Sequence, residues 1–396
     1  MHDRRDSSSI ARLVARSRHG PWPDHSVRPD FDISKRGVPP GVTGALWLAF
    51  AAALPLGVLL LLFVLVVWGD AEVVDFRSFY TAGTALLHGE SPYPEYVYPP
   101  LTAIASVPLA LLPLGLAEAI VIIGLAGGVV ATLFVLDVRD WRCYGLAFLW
   151  PPVISGIQTG NITILLGLAA ALAWRFRARP LSCSLSVGIT LAAKFFLWPL
   201  VIWLAATRRY VTAGLSCVAG AGFLILSWAA IGFAGLGDYG SIVRRVQGVV
   251  ESDSYTAYVV ALDLGASPAL ARAVWLTLAF ALLAGCIALG RRANDAGAFI
   301  LAIAASLAFT PIVWLHYFAL LLIVVAVAQP TLGVIWFVPL AMVITPGSGQ
   351  PSAPETFATL VIASLTIALA LRASLHEKAD VTDTQTVLSR PSVRAS

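Results

Sequence analysis

"GALWLAFAAALPLGVLLLLFVLVVWG" occupies residues 44–69 and carries no charged side chain. About 20 apolar residues in a helix cross the ~30 Å hydrocarbon core of a bilayer, so this run is long enough to span. It is too long and begins too far into the chain for an ordinary cleavable signal peptide, and it reads as a retained first span. Outward from it the same character recurs. Further apolar segments fall at 116–136, 143–157, 161–174, 181–193, 195–206, 211–236, 272–290, 297–312, 316–328, 332–345 and 357–371. The whole chain is 58% hydrophobic and 12% charged, against about 25% charged in a soluble domain, and its mean hydropathy is +0.83. The short alternating strands of a transmembrane barrel are absent.

These features predict an all-α polytopic membrane protein with about 12 transmembrane helices. Segments shorter than a full span are allowed where they pair around a water-filled cavity that solvates their ends. The expected organisation is a polar, disordered cytoplasmic tail over 1–43, a transmembrane domain over 44–371 with a first outer loop at 69–115, and a polar cytoplasmic tail over 372–396. Leu101–Leu114 is apolar but interrupted by Pro108 and Pro113, and reads as an interfacial or re-entrant helix.

Basic residues orient the chain, because cytoplasmic loops are enriched in Lys and Arg. With an inside N-terminus and strict alternation, 21 of the 26 basic residues fall inside, leaving Arg77, Lys194, Arg244, Arg245 and Arg272 outside. Both termini are then cytoplasmic. The same alternation gathers on the outer side the 73–100 stretch, Gln158–Asn161, Lys194, the 237–271 loop and Trp314–Tyr317, which hold nearly all the unusual polar features. The net charge of +4 calls for no nucleic-acid partner. Cys143, Cys183, Cys217 and Cys286 are scattered through apolar segments and read as small core hydrophobes. Arg far outnumbers Lys, which occurs only at positions 35, 194 and 378, a bias that points to a GC-rich bacterial genome.

The densest polar stretch, "VVDFRSFYTAGTALLHGESPYPEYVYPP" (73–100), follows the first span. Asp75 there reads either as one acid of a solvated loop, with Glu72, or as a general base at the membrane surface, where a low-dielectric wall favours proton uptake. The rings of Phe76, Phe79, Tyr80, Tyr93, Tyr96 and Tyr98 suit a sugar face or an interfacial aromatic belt. Pro92, Pro94, Pro99 and Pro100 stiffen the stretch against helix formation. Lys194, in "TLAAKFFLWPL", is costly in an apolar setting; it either binds an anion or snorkels to the surface. In "ISGIQTGNITILL", Gln158 and Asn161 can bind hydroxyls, and Asn161 can equally cap the following helix. His316 and Tyr317 in "TPIVWLHYFALLL" are further ligand candidates, or else satisfied interfacial residues. Arg244 and Arg245 read as a solvated face in preference to a phosphate site, and no single acid stands out among Asp238, Glu251, Asp253 and Asp263. No P-loop, dinucleotide fingerprint, zinc spacing, nucleophile elbow or DxD pair occurs, so an ATP-driven pump and a metal-dependent nucleotide-sugar enzyme are disfavoured.

Taken in order, Asp75, "YTAGTALLHGESPY" (80–93), "YVYPPL" (96–101), Gln158 with Asn161, Lys194 and "WLHY" (314–317) form a series that resembles glycosyltransferase family 87, bacterial integral-membrane enzymes of the GT-C superfamily. The likeness runs from about 45 to 372. It implies a GT-C type fold with an extracytoplasmic catalytic loop after the first span, in a bacterial plasma membrane. It also implies transfer of a hexose, usually mannose, from a polyprenyl-phosphate donor to a lipid-linked or cell-envelope glycan, with Asp75 as base and no metal or cofactor. Tyr80, Tyr93, Tyr98, Gln158, Asn161, Lys194, His316 and Tyr317 are then the candidate donor and substrate ligands. Arabinofuranosyl transfer from polyprenyl-phosphate arabinose stays open, as does a transporter or flippase for a lipid-linked sugar, since broken helices suit transport too.

Overall fold

The computed structural model describes residues 55–60, 73–250, 254–345 and 351–388. The N-terminal tail, most of the first apolar run, Glu72, Glu251, Asp253 and the last eight residues lie outside the described residues. Those described are helical or irregular, with no strand among them.

The polar stretch after the first apolar run is more helical than the expected loop. It forms α1 (Val74–Leu87) and α2 (Pro100–Ala110), packed against each other, with the proline-rich 91–99 between them. Helix α1 buries Phe76, Phe79, Ala82 and Gly83, a three-to-four-residue spacing that lines one face of a helix. Gly83 has no room for a side chain, because an added Cβ would lie 3.0 Å from the Ser106 backbone of α2. Arg77 of α1 pairs through Nε with Oε1 of Glu118 at 2.9 Å. Glu118 is buried within α3 (Leu114–Val135), and the pair pins α1 to that helix.

Next come α4 (Trp141–Ala147), α5 (Pro151–Thr159) and α6 (Thr163–Arg175). Helices α5 and α6 meet at a bend of 118°. Then α7 (Pro180–Ala193) breaks at Lys194, a 3-10 turn (Phe195–Leu197) intervenes, and α8 (Pro199–Ala206) resumes. Proline at the first position of α2, α5, α7, α8 and α12 (Pro268–Arg291) starts these helices where its missing N–H costs nothing. The expected 237–271 loop instead holds α10 (Leu236–Val250) and α11 (Ala257–Asp263), which follow α9 (Tyr210–Ala230). The chain closes with α13 (Asp295–Phe309), a 3-10 turn (Leu315–Leu320), α14 (Leu321–Ala328), two further 3-10 pieces, and α15 (Ala353–Leu388).

Four of the described helices are long and apolar enough to cross a membrane: α3, α9, α12 and the 353–375 part of α15; counting the bent pair α5–α6 as one span makes five. The expected twelve spans are not confirmed by this count, since the first apolar run lies mostly outside the described residues and most of the other apolar segments form helices of 7–15 residues. The burial pattern shows how the two kinds divide. Helices α13 and α14 are buried almost throughout, including Ile300, Ala305, Leu321 and Val324. The long α9, α12 and α15 expose apolar residues such as Val218, Leu226, Phe280 and Val361. A helix apolar on all sides and half uncovered belongs against lipid.

Short helices therefore form the middle of the protein, and their ends define two poles. Helices α6 and α8 both end near a polar cluster. There Asp295, at the start of α13, accepts from Arg177 Nε at 3.0 Å, Arg209 Nη1 and Nη2 at 2.9 and 2.7 Å, and Trp203 Nε1 at 2.8 Å. Burial pushes the Asp295 carboxyl up, but the Arg209 hydrogen bonds and the charges of Arg209 and Arg177 outweigh it and hold the group below its usual value. This cluster ties together three turns that alternation assigns to one side. Asp140 adds another such tie, since Oδ2 accepts from the backbone N–H of Leu332 at 3.2 Å. The candidate ligands lie where α6 and α8 begin.

Candidate functional site

Asp75 sits in the first turn of α1, half-buried, where the helix dipole favours an anion. Its Oδ2 accepts from Nδ2 of Asn161 at 2.9 Å, across 86 residues of chain. Gly160 makes this approach possible. It ends α5 in the left-handed region at φ 69°, which glycine enters without steric cost. A Cβ there would collide with Val73 and come within 2.6 Å of the Phe76 Cβ, both at the start of α1. Asn161 is buried, and its Oδ1 accepts from the Thr163 backbone N–H at 2.8 Å and from the Thr163 hydroxyl at 2.6 Å. Asn161 thus ties the first residue of α6 to Asp75; the N-cap position itself is Ile162.

Lys194 occupies the break between α7 and the 3-10 turn, with extended backbone at φ −160°. The residue is half-buried as a whole, yet its Nζ is enclosed and has no hydrogen-bond partner. The ammonium lies 4.1 Å from the ring centre of Tyr317, 5.2 Å from that of Tyr98 and 5.7 Å from that of Phe196. The negative faces of such rings attract a cation, more strongly where water is excluded. His316 is buried against Tyr317, ring centres 5.0 Å apart, and its Nε2 also lacks a partner. Buried polar atoms without partners are rare in folded proteins. Four are found among the described side chains, and two of them, Lys194 Nζ and His316 Nε2, meet here. Asp75 is near enough for its charge to act on Lys194, Tyr98 and Tyr317. One carboxylate and one unpaired ammonium therefore lie close together among the rings of Tyr98, Phe196 and Tyr317.

Six of the nine residues singled out in the sequence come together in this way: Asp75, Tyr98, Asn161, Lys194, His316 and Tyr317. The other three stand apart. The Tyr80 hydroxyl donates to the Leu112 carbonyl at 2.8 Å and is committed to packing α1. Tyr93 donates to the Tyr98 carbonyl at 2.9 Å and stacks on Trp228, ring centres 5.2 Å apart. Gln158 is half-buried in the last turn of α5, and no hydrogen bond among the described residues joins it to the group. Arg244 and Arg245 are exposed on α10, as expected of a solvated face. Cys217 is exposed whereas the other three cysteines are buried.

Sequence reasoning passed over Thr163, Gly160 and Glu118. The spacing Asn161-x-Thr163 at a helix start carried a capping signal for the first. A lone acid within the apolar run "LGLAEAIVIIGL" marked the last, since ionisable residues inside membrane segments are rarely idle. No group of three or more His, Cys, Asp or Glu side chains lies together to hold a metal among the described residues.

Apolar helices of spanning length mark a membrane-embedded protein. The sequence model of glycosyltransferase family 87 matches residues 96–313, more than half of the chain, and the protein belongs to that family. It is accordingly a glycosyltransferase. Tyr98, Gln158, Asn161 and Lys194 lie within the matched region, Asp75, Tyr80 and Tyr93 before it, and His316 and Tyr317 just after it. No curated protein and no solved structure matches the chain.

Proposed function

We propose that this glycosyltransferase moves a hexose, mannose in the first instance, from a polyprenyl-phosphate donor to a lipid-linked or cell-envelope glycan at the outer face of a bacterial plasma membrane. The observation that carries the reading is the unpartnered Lys194 ammonium beside Asp75. A buried ammonium with no hydrogen-bond acceptor is costly, and the cost is understandable where an anionic group docks. A lipid phosphate entering between the helices suits that place, with its prenyl chain in the apolar surroundings. The acceptor hydroxyl attacks the anomeric carbon from the face opposite the phosphate. As the new C–O bond forms, the anomeric C–O bond to phosphate breaks, the hydroxyl proton passes to Asp75, and polyprenyl phosphate departs. One displacement inverts the anomeric centre. Lys194 and His316 face the charge that grows on the leaving phosphate, where preorganised donors are most effective. Tyr98 and Tyr317 frame the sugar. The step requires no metal or cofactor, since lysine supplies the positive charge.

In this reading the apolar segments make about twelve passages, several of them as short helices meeting at breaks. Both termini are cytoplasmic and the Asp75–Lys194 site lies on the outer side. The test is to supply the purified protein in nanodiscs with polyprenyl-phosphate mannose or polyprenyl-phosphate arabinose and a cell-envelope glycolipid extract. Consumption of the mannosyl donor alone supports the hexose reading, and consumption of the arabinosyl donor alone replaces it. Asp75→Asn keeps size and hydrogen bonding but cannot take the proton, and is expected to lower transfer by about 10²–10⁴-fold.

A further inference from the structure

We propose that Thr163 is a positioning residue for the base, acting through Asn161; this rests on Asp75 being that base. The donors around Asn161 fix which end of its amide faces which neighbour. A backbone N–H can only donate, so the atom facing the Thr163 N–H at 2.8 Å is the carbonyl Oδ1. The Thr163 hydroxyl, 2.6 Å from the same oxygen, donates to it as well. With Oδ1 doubly held, the amide cannot turn over, and Nδ2 is the end presented to Asp75 Oδ2 at 2.9 Å. Nδ2 carries only hydrogens, so Asp75 must receive it as an acceptor, which its ionised form does with either oxygen. Oδ2 is thereby occupied and Oδ1 is left for the acceptor hydroxyl. A flipped amide would set oxygen against oxygen and turn the carboxylate away.

The placement of Thr163 suits this task. It is fully buried at the first position of α6. Its hydroxyl does not follow the habit of the other buried hydroxyls here, such as Thr132, Ser216 and Ser306, which donate back to the carbonyl four residues earlier. It donates to a side chain two residues before it. Three links therefore run from the α6 terminus through Asn161 to α1, and the geometry of the base depends on the junction at Gly160–Thr163.

The experiment compares Thr163→Val, Thr163→Ala and Thr163→Ser in the nanodisc enzyme, each also in an Asn161→Ala background. Valine and alanine remove the hydroxyl with opposite effects on volume, and serine retains it. Both hydroxyl-free variants are expected to lower kcat by about three- to tenfold, the range one hydrogen bond supports. KM for the polyprenyl-phosphate donor stays unchanged, because Lys194 is untouched. Serine recovers most of the rate. In the Asn161→Ala background, loss of the Thr163 hydroxyl has no further effect, because nothing remains for it to orient. An equal loss in both backgrounds, a change confined to KM, or failure of both hydroxyl-free variants to fold while serine folds would overturn the positioning role. A wild-type rate in Asp75→Asn would instead remove the base assignment itself, so the two failures are told apart.

Discussion

Replacing Lys194 by methionine should make the protein more stable and inactive. The ammonium is enclosed and hydrogen-bonded to nothing. Removing such a charge from water costs several kcal/mol even after relaxation. Against this stand the Tyr317 ring at 4.1 Å and weaker contacts with Tyr98 and Phe196 at 5.2 and 5.7 Å, together about 2 kcal/mol for a desolvated cation, and the attraction of Asp75. Methionine keeps the length and apolar bulk of the stem and removes the desolvation term. Asp75 keeps its Asn161 partner and is not orphaned. With several kcal/mol of desolvation set against about 2 kcal/mol of ring contacts and the solvent-weakened attraction of half-buried Asp75, the balance favours the variant by about 1–3 kcal/mol. That amounts to a melting point higher by roughly 2–8 °C, readable from the fluorescence of the 12 tryptophans on heating in nanodiscs. Added polyprenyl phosphate supplies the second arm. At 100 times its dissociation constant a ligand stabilises its receptor by about 2.7 kcal/mol. The wild type should show this shift and Lys194→Met should lose it, along with transfer activity. A variant that melts below wild type without ligand, or that still gains stability from polyprenyl phosphate, would refute the reasoning.

Three further outcomes are expected. Gly160→Ala forces a side chain into the left-handed region and against Val73 and Phe76; it should cost about 2–4 kcal/mol and lower transfer more than tenfold, whereas Gly124→Ala, which meets nothing within 4 Å, should leave both melting point and rate near wild type. Asp295 has its carboxyl held below the usual 3.8, so its stabilising contribution is present above that value and fades as pH falls through the lowered one. Asp295→Asn should therefore destabilise by about 2–4 kcal/mol at neutral pH, with the gap to wild type narrowing below about pH 4 in thermal melts. For orientation, single cysteines at exposed Glu90 and Ala178 in a background lacking the four native cysteines should differ: an impermeant maleimide added to whole cells should label position 90 and spare 178, and the reverse pattern would invert the topology.

Much of the site was legible because its members are anomalies in an apolar chain. Lys194 and His316 stood out by composition alone, and Asp75 by its place after the first apolar run. Asn161 was visible at a helix start, though its hold on Asp75 was not, since a hydrogen bond across 86 residues leaves no local trace. The helical nature of 74–87 was hidden by its polarity: Phe76, Phe79 and Gly83 carry the periodicity, while Asp75, Arg77 and Tyr80 between them read as loop. The packing roles of Tyr80 and Tyr93 were hidden too, because an aromatic side chain that packs a hairpin looks like one that binds a sugar. Helix lengths were the other gap. An apolar run fixes neither where a helix bends, as at Gly160, nor where it breaks, as at Lys194, and both of these depend on what the polar side chains there reach.

The division between long outer helices and short inner ones has a consequence for how such a chain can drift. Residues such as Val218, Leu226, Phe280 and Val361 face outward, and a bilayer accepts one aliphatic side chain as readily as another. These positions can exchange Leu, Val, Ile and Phe with no neighbour to object, so the outer helices are free to diverge until their sequence records little beyond hydropathy. Ile300, Leu321 and Trp150 have no such freedom, because each is enclosed by other side chains. Ancestry and chemistry should therefore be preserved in the short helices and their junctions, and a scan of tolerated substitutions across the whole chain should draw the boundary between lipid and protein without reference to any coordinates.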